Sequence, residues 1–111
     1  MTAAAALRRI RSSPLAKYDP GPPHREFLQS PDRFRLLRAP SQSGKTMVAA
    51  YETVCRCLGV HPYQEVPPPP VECRVLCHSF RQSVVVQTKI HELIPPGVLE
   101  ADCTFHPVRG Y

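Results

Sequence analysis

Residues 33–46 read RFRLLRAPSQSGKT and residues 47–58 continue MVAAYETVCRCL. RFRLL, 33–37, is apolar at its centre and reads as a strand. SQSGKT, 41–46, is a run of small and polar residues, and KTMVAAYETVCRCL, 45–58, has the pattern of a long helix. Gly59 follows as the residue just past its end, where a left-handed conformation is commonly needed. Strand, loop and helix in that order are the setting of the phosphate-binding pattern GxxxxGK[ST], which here runs from Ala39 to Thr46. Its logic is an anion nest. Backbone N–H groups of Ser41, Gln42 and Ser43 wrap the phosphates while the next helix points its positive end at them. Gly44 permits close backbone approach, Lys45 carries a mobile positive charge to the β- and γ-phosphates, and the Thr46 hydroxyl is placed to ligate Mg²⁺. The first glycine of the pattern is replaced by Ala39.

The rest of the chain continues an alternation of strands and helices. Residues 1–23 are an Ala/Arg segment with a short N-terminal helix, closed by DPGPP at 19–23. PPHREFLQS, 22–30, reads as a short helix opened by proline. VHPYQEVPPPP, 60–70, is a stiff connector with polyproline II geometry at 67–70. VECRVLCH, 71–78, reads as a second strand. Ser79 and Gln82 form an S-x-x-Q capping box opening a helix through Ile94, with Val86, Ile90, Leu93 and Ile94 on one apolar face. Pro95-Pro96 stops it, and ADCTFH, 101–106, reads as the start of a third strand. The expected fold is therefore α/β: a partial nucleotide-binding sheet of about three strands with covering helices, an incomplete three-layer α/β/α arrangement.

Composition sets the scale of what this chain can do. With 111 residues and 14 prolines, against an average proline usage of about 5%, much of the length is loop and the core is modest. Residues 1–50 carry nine Lys/Arg against three acids, an excess of six, whereas residues 51–111 carry five against six. The positive field is concentrated in the half that holds the glycine-lysine loop, and it favours phosphate-bearing partners such as nucleotide or DNA. The start, MTAAAALRRIRSSP, has an apolar run too short for a secretory signal, and no stretch approaches a membrane span. Five cysteines (Cys55, Cys57, Cys73, Cys77, Cys103) are expected as free thiols in a reducing compartment. Cys73-x3-Cys77-His78 has the look of a metal motif, but a strand there sends His78 to the opposite face from the two cysteines, and Cys55 and Cys57 diverge on their helix. Buried structural thiols are the favoured reading over zinc.

Hydrolysis demands more than a phosphate clamp. It needs an acid at the end of a neighbouring strand to hold Mg²⁺ and a group to orient the attacking water. The stretch at 71–78 ends in Cys77-His78, and Glu100 and Asp102 follow only a short apolar pair. No catalytic residue is identified. Arg81 is a weak candidate for a charge donor, with a surface role favoured. The chain reads as able to grip ATP but unequipped to split it.

These residues resemble a known family, the large terminase subunit of tailed bacteriophages, the ATPase of the DNA-packaging motor. The match runs through HREFLQSPDRFRLL (24–37), SQSGKTMVAAYE (41–52) and RVLCHSFRQSVVVQTKIHELIPPGVL (74–99), with Gln42 to Thr46 in one common form of the family's loop. The resemblance implies ATP and Mg²⁺ as cofactors and hydrolysis coupled to driving double-stranded DNA into a procapsid. It also implies portal protein and small terminase subunit as partners, and the cytoplasm of an infected or prophage-carrying bacterium as the location. Residues 24–111 would be the N-terminal part of the ATPase domain and 1–23 an arm. There are departures: Ala39-Pro40 stands where the family often has Gly-Gly, and His24 where an adenine-reading glutamine is expected. The family's Walker B acids and its nuclease domain would lie beyond Tyr111, so an N-terminal fragment is expected. The rival readings are another P-loop ATPase or kinase fragment, and a non-catalytic basic fragment that binds DNA or a partner electrostatically.

Overall fold

A computed structural model of the chain describes residues 2–38, 44–68, 71–95, 97–99 and 103–111. Among the described residues there are five helices: α1 Ala3–Ser12, α2 Pro14–Lys17, α3 Pro22–Gln29, α4 Lys45–Leu58 and α5 Phe80–Leu93. The residues gather into two compact units, one made of Asp19–Arg74 and the other of Met1–Tyr18 with Val75–Tyr111.

The sheet expected from the sequence is not there. Among the described residues there is no β-strand, only a single antiparallel bridge between His106 and Gly110. The three-strand α/β/α reading is overturned in favour of helices joined by irregular segments. In RFRLL the alternation is real but inverted. Phe34 and Leu36 are 86% and 82% exposed, while Arg35 turns inward to an ion pair with Glu52. In VECRVLCH, residues 72–78 are exposed throughout and join no ladder. Of the third expected strand, Ala101 and Asp102 lie outside the described residues and 103–106 contribute only the His106 bridge. The physical reason is that a strand is held by hydrogen bonds from a neighbouring strand. An alternating or apolar stretch is compatible with a ladder but cannot supply its own partner.

In the Asp19–Arg74 unit, α3 packs on α4. Pro22 and Pro23 open α3, where their missing N–H groups cost nothing. Buried Leu28 of α3 meets a face of α4 made by Val48, Ala50, Tyr51, Val54 and Cys55, all buried. Their three- and four-residue spacing puts them on one side of a helix, and full burial of a valine or leucine contributes about 1.5–3 kcal/mol. Gly59 ends α4 with φ 70°. Its N–H donates to the Arg56 carbonyl at 3.3 Å, and the Val60 N–H donates to the Cys55 carbonyl at 3.0 Å, the pairing that satisfies a helix's last carbonyls when a left-handed residue follows it.

Glu52, on the polar side of α4, gathers the irregular segments of this unit. Its carboxylate accepts from Arg35 at 2.6 Å, from Arg56 at 2.6 Å and from His61 Nε2 at 2.7 Å. The Tyr63 N–H donates to His61 Nδ1 at 3.2 Å, so the proton of this buried imidazole sits on Nε2 and points at Glu52. Arg35 also donates to the Phe27 carbonyl at 2.9 Å and lies over the Phe27 ring at 4.8 Å. Arg56 donates to the Gln64 amide oxygen at 3.2 Å, and the Gln64 amide nitrogen donates to the carbonyls of Leu28 and Ser30 at 2.9 and 2.5 Å. The open carbonyl end of α3 is thereby closed by side chains wired to Glu52.

In the other unit, α2 packs against α1 and against α5. Leu15 of α2 and Leu93 of α5 are buried there. Thr2 Oγ1 accepts the Ala5 N–H at 3.2 Å at the start of α1. Ser79 caps α5, accepting the Gln82 N–H at 3.1 Å, while the Gln82 side chain reaches back to the His78 N–H at 3.2 Å. The two side chains of the expected capping box thus engage, with Gln82 bonding one residue further back than in the usual form. The C-terminal residues dock on α5 through an aromatic cluster. His91 stacks on Phe105 at 4.2 Å and bonds the Tyr111 hydroxyl at 2.7 Å. Among the described residues no helix is long and apolar enough to cross a membrane.

The Glu52 carboxyl feels opposing forces. Burial pushes its pKa up, but hydrogen bonds from Arg35, His61 and Arg56 outweigh burial and bring it from 4.5 to about 2. A carboxyl whose folded pKa is depressed contributes stability that is complete above its unfolded value and is lost as pH falls through its folded one. Wild type should therefore lose stability between pH 4.5 and about 2. Glu52→Gln should lower the unfolding free energy at neutral pH by about 2–3 kcal/mol, because it leaves Arg35 with an uncompensated charge. It should also flatten that acid loss. Urea titrations followed by circular dichroism at pH 7 and pH 3 would measure both.

Candidate functional site

The expected phosphate loop falls partly where the structure describes the chain. Ser41, Gln42 and Ser43, with Ala39 and Pro40, lie outside the described residues, whereas Gly44, Lys45 and Thr46 form the start of α4. Gly44 is the residue immediately before the helix and has φ 86° and ψ 12°, a left-handed conformation that an L side chain adopts only at a cost. Its carbonyl accepts the Val48 N–H at 3.0 Å, the first helical bond of α4. Lys45 is the first helical residue and is exposed; Thr46 follows, half-buried.

The electrostatics of this helix start are unusual in one respect. The residue at the cap position, Gly44, has no side chain to offer, and no acidic residue stands in the first turn. A helix N-terminus carries about half a positive charge, and an acid there is the common stabilising choice. Here the first residue is a lysine instead, which adds positive charge where positive charge already accumulates. The combined field favours an anion.

His24, from the first turn of α3, stands beside this point. A Cβ added at Gly44 would lie 3.4 Å from His24 Cε1 and 3.8 Å from Nδ1. Both are ordinary van der Waals distances, so it is the left-handed backbone rather than the space beside His24 that favours glycine here. His24 entered the sequence reading only as a departure from a glutamine, and its position against Gly44 could not be foreseen from a separation of twenty positions.

Arg81 is exposed on the first turn of α5 and belongs to the other unit. Glu100 and Asp102 lie outside the described residues. Pro23, Phe27, Phe34, Arg35 and Arg38 are among the residues lining an open groove of about 530 Å³ in the Asp19–Arg74 unit, which Gly44, Lys45 and Thr46 do not line.

The cysteines need a correction. Cys55 is buried, and burial raises its thiol to about 11, as expected of a structural thiol. Cys73, Cys77 and Cys103 are exposed, however, and Cys57 is half-buried. The reading of Cys73 and Cys77 as buried thiols came from placing 71–78 in a strand, and the exposed, unpaired chain there removes its basis. Among the described residues no three His, Cys, Asp or Glu side chains converge in a way that could hold a metal ion. What sequence reasoning missed is the Glu52 assembly. Its Arg56 arm is readable as a helical i,i+4 pair, but Arg35 and His61 carry no local signal.

Comparison with family models, with curated proteins and with solved structures finds no significant match.

Replacing Gly44 by alanine forces a left-handed L residue, a cost of about 1–2 kcal/mol, beside a ring in ordinary van der Waals contact with the new methyl. The loss should appear as a lowered thermal midpoint by circular dichroism, and Gly21→Ala, where a Cβ meets nothing within 4 Å, should show much less.

Proposed function

We propose that residues 41–46 bind the phosphates of ATP with Mg²⁺, as the ATP-binding portion of a DNA-packaging terminase large subunit. The observation that carries the phosphate reading is the start of α4: Lys45 opens a helix whose first turn holds no acidic residue, behind left-handed Gly44. That arrangement puts backbone donors, a helix dipole and a flexible cation at one point, the combination that polyphosphate recognition uses. Within it, Lys45 would neutralise phosphate charge and the Thr46 hydroxyl would ligate Mg²⁺ on the nucleotide. Ser41, Gln42 and Ser43 would donate from their backbone. The resemblance of residues 24–37, 41–52 and 74–99 to the terminase family supports the wider reading, with double-stranded DNA, portal protein and small terminase subunit as partners and an infected bacterium's cytoplasm as the setting.

The proposed activity is binding without turnover. A clamp that holds ground state and transition state alike does not accelerate chemistry. Acceleration needs groups aimed at the charge that develops and at the attacking water, and no carboxylate among the described residues stands at the start of α4 in that role. Calorimetric titration with Mg·ATP should show weak binding by wild type and none by Lys45→Ala, and phosphate release should equal that of the variant. Equal binding by the two proteins would sink the reading.

A second property follows from charge. Arg8, Arg11, Arg33 and Arg38 are exposed, within the half of the chain that carries six excess positive charges. Exposed cations neutralise phosphates and release counterions, so affinity for duplex DNA should be sequence-independent and fall steeply with salt. Fluorescence anisotropy with two unrelated duplexes, at about 50 and 200 mM salt, should give matching curves that weaken together. Affinity unchanged by salt would count against DNA as a partner.

A further inference from the structure

One stretch of the Asp19–Arg74 unit turns apolar side chains to solvent and carries a charge at each end. Asp32, Phe34, Leu36 and Arg38 are exposed, whereas Arg35 and Leu37 between them are half-buried. The ion pair at 2.6 Å that draws Arg35 in to Glu52 sets the phase of this alternation. Phe34 and Leu36 are 86% and 82% exposed, and large apolar side chains grouped on a surface mark an interaction site. With Pro23 and Phe27 of α3, the four outward residues are among those lining the open groove of about 530 Å³. Neither Asp32 nor Arg38 takes part in an ion pair among the described residues; the Asp32 carboxylate accepts the Ser30 hydroxyl at 3.2 Å.

We propose that this face binds a second copy of the chain. Its outward residues read acid, phenyl, isobutyl, base. Laid antiparallel against its own copy about a two-fold axis at Arg35, that order is its own complement. Asp32 of each copy meets Arg38 of the other, and Phe34 meets Leu36. A two-fold interface uses the same patch on both partners, so the patch must satisfy itself in this way. Removing Phe34 and Leu36 from water drives the association. The two charge pairs at the ends add little energy at a surface, but they fix direction and register. Arg35, at the centre, does not oppose the approach, because each copy turns it inward to its own Glu52. A phosphate-bearing occupant fits less well. Glu26 and Asp32 line the same groove and would repel it, and Phe34 and Leu36 offer it no countercharge. Gly44, Lys45 and Thr46 do not line the groove, so this inference stands apart from nucleotide binding.

Sedimentation equilibrium of the purified chain, freed of nucleic acid, reads the association directly. As concentration rises, the mass should climb from 12.4 kDa towards twice that value. Phe34→Ser and Leu36→Ser alter side chains that are almost fully exposed, so both should keep the wild-type circular dichroism spectrum and stay monomeric. Charge exchange tests the register. Asp32→Arg alone and Arg38→Asp alone set like charges face to face, and each should stay monomeric. An equal mixture of these two variants should form a heterodimer, because every end pair across it is again opposite in sign. A chain carrying both changes should recover the dimer. Wild type that stays monomeric at every concentration overturns the proposal. So does a dimer that survives Phe34→Ser and Leu36→Ser, and so do single charge variants that associate as well alone as mixed. Monomeric wild type that binds an oligonucleotide, with that binding lost in Phe34→Ser, would assign the face to nucleic acid and equally overturn it.

Discussion

The Asp19–Arg74 unit depends on a single carboxylate. Glu52 projects from α4 and accepts hydrogen bonds from three residues that lie on three different stretches of chain. Taking one carboxylate out of water is costly, and removing one partner from such a set is costlier still. The compensation must come from all three donors at once, which makes their positions interdependent. Through Arg35 the carboxylate holds the segment after α3 and reaches the Phe27 carbonyl. Through Arg56 and Gln64 it reaches the carbonyls of Leu28 and Ser30, and through His61 it holds the connector after α4. A small apolar core built on Leu28 and the buried face of α4 is thereby joined to a polar frame on the other side of the same helix.

That frame bears on the candidate site because both use α4. Burial and the Glu52 bonds fix the helix, and the helix in turn fixes where Gly44, Lys45 and Thr46 begin. Buried Val48 lies in that first turn, so the helix start is anchored directly by the core. His24 reaches the same point from α3 because α3 is held against α4 by Leu28 and by the side chains that close its carbonyl end. The inversion of RFRLL follows from the same constraint. Arg35 is needed at Glu52, and turning it inward leaves Phe34 and Leu36 on the exposed side.

The cysteines show how far a thiol's character depends on its surroundings. Cys55 and Cys57 stand two apart on one helix, which sends their side chains in different directions. One joins the core, where burial raises its thiol to about 11, while the other stays half-buried. The difference arises from a two-residue step in a helical register.

Much of the helical structure was legible in the sequence. The alternation of apolar positions and the punctuation by Pro22, Gly59, Ser79 and Pro95 marked out α3, α4 and α5, because a helix is closed by bonds between residues four apart and its caps lie within a few residues of its ends. The charge excess in residues 1–50 was equally plain, as was the placement of Gly44-Lys45-Thr46 at a helix start. The strands were not legible, since RFRLL and VECRVLCH announce only that they could pair, and pairing is decided by whether another strand arrives alongside. Nor were the contacts that define the unit: Glu52 with Arg35, Gln64 with Leu28 and Gly44 with His24. Each joins residues far apart along the chain, and such contacts impose no fixed spacing on their partners. Helices are settled by neighbours in sequence; which residues face Glu52 was settled only by neighbours in space.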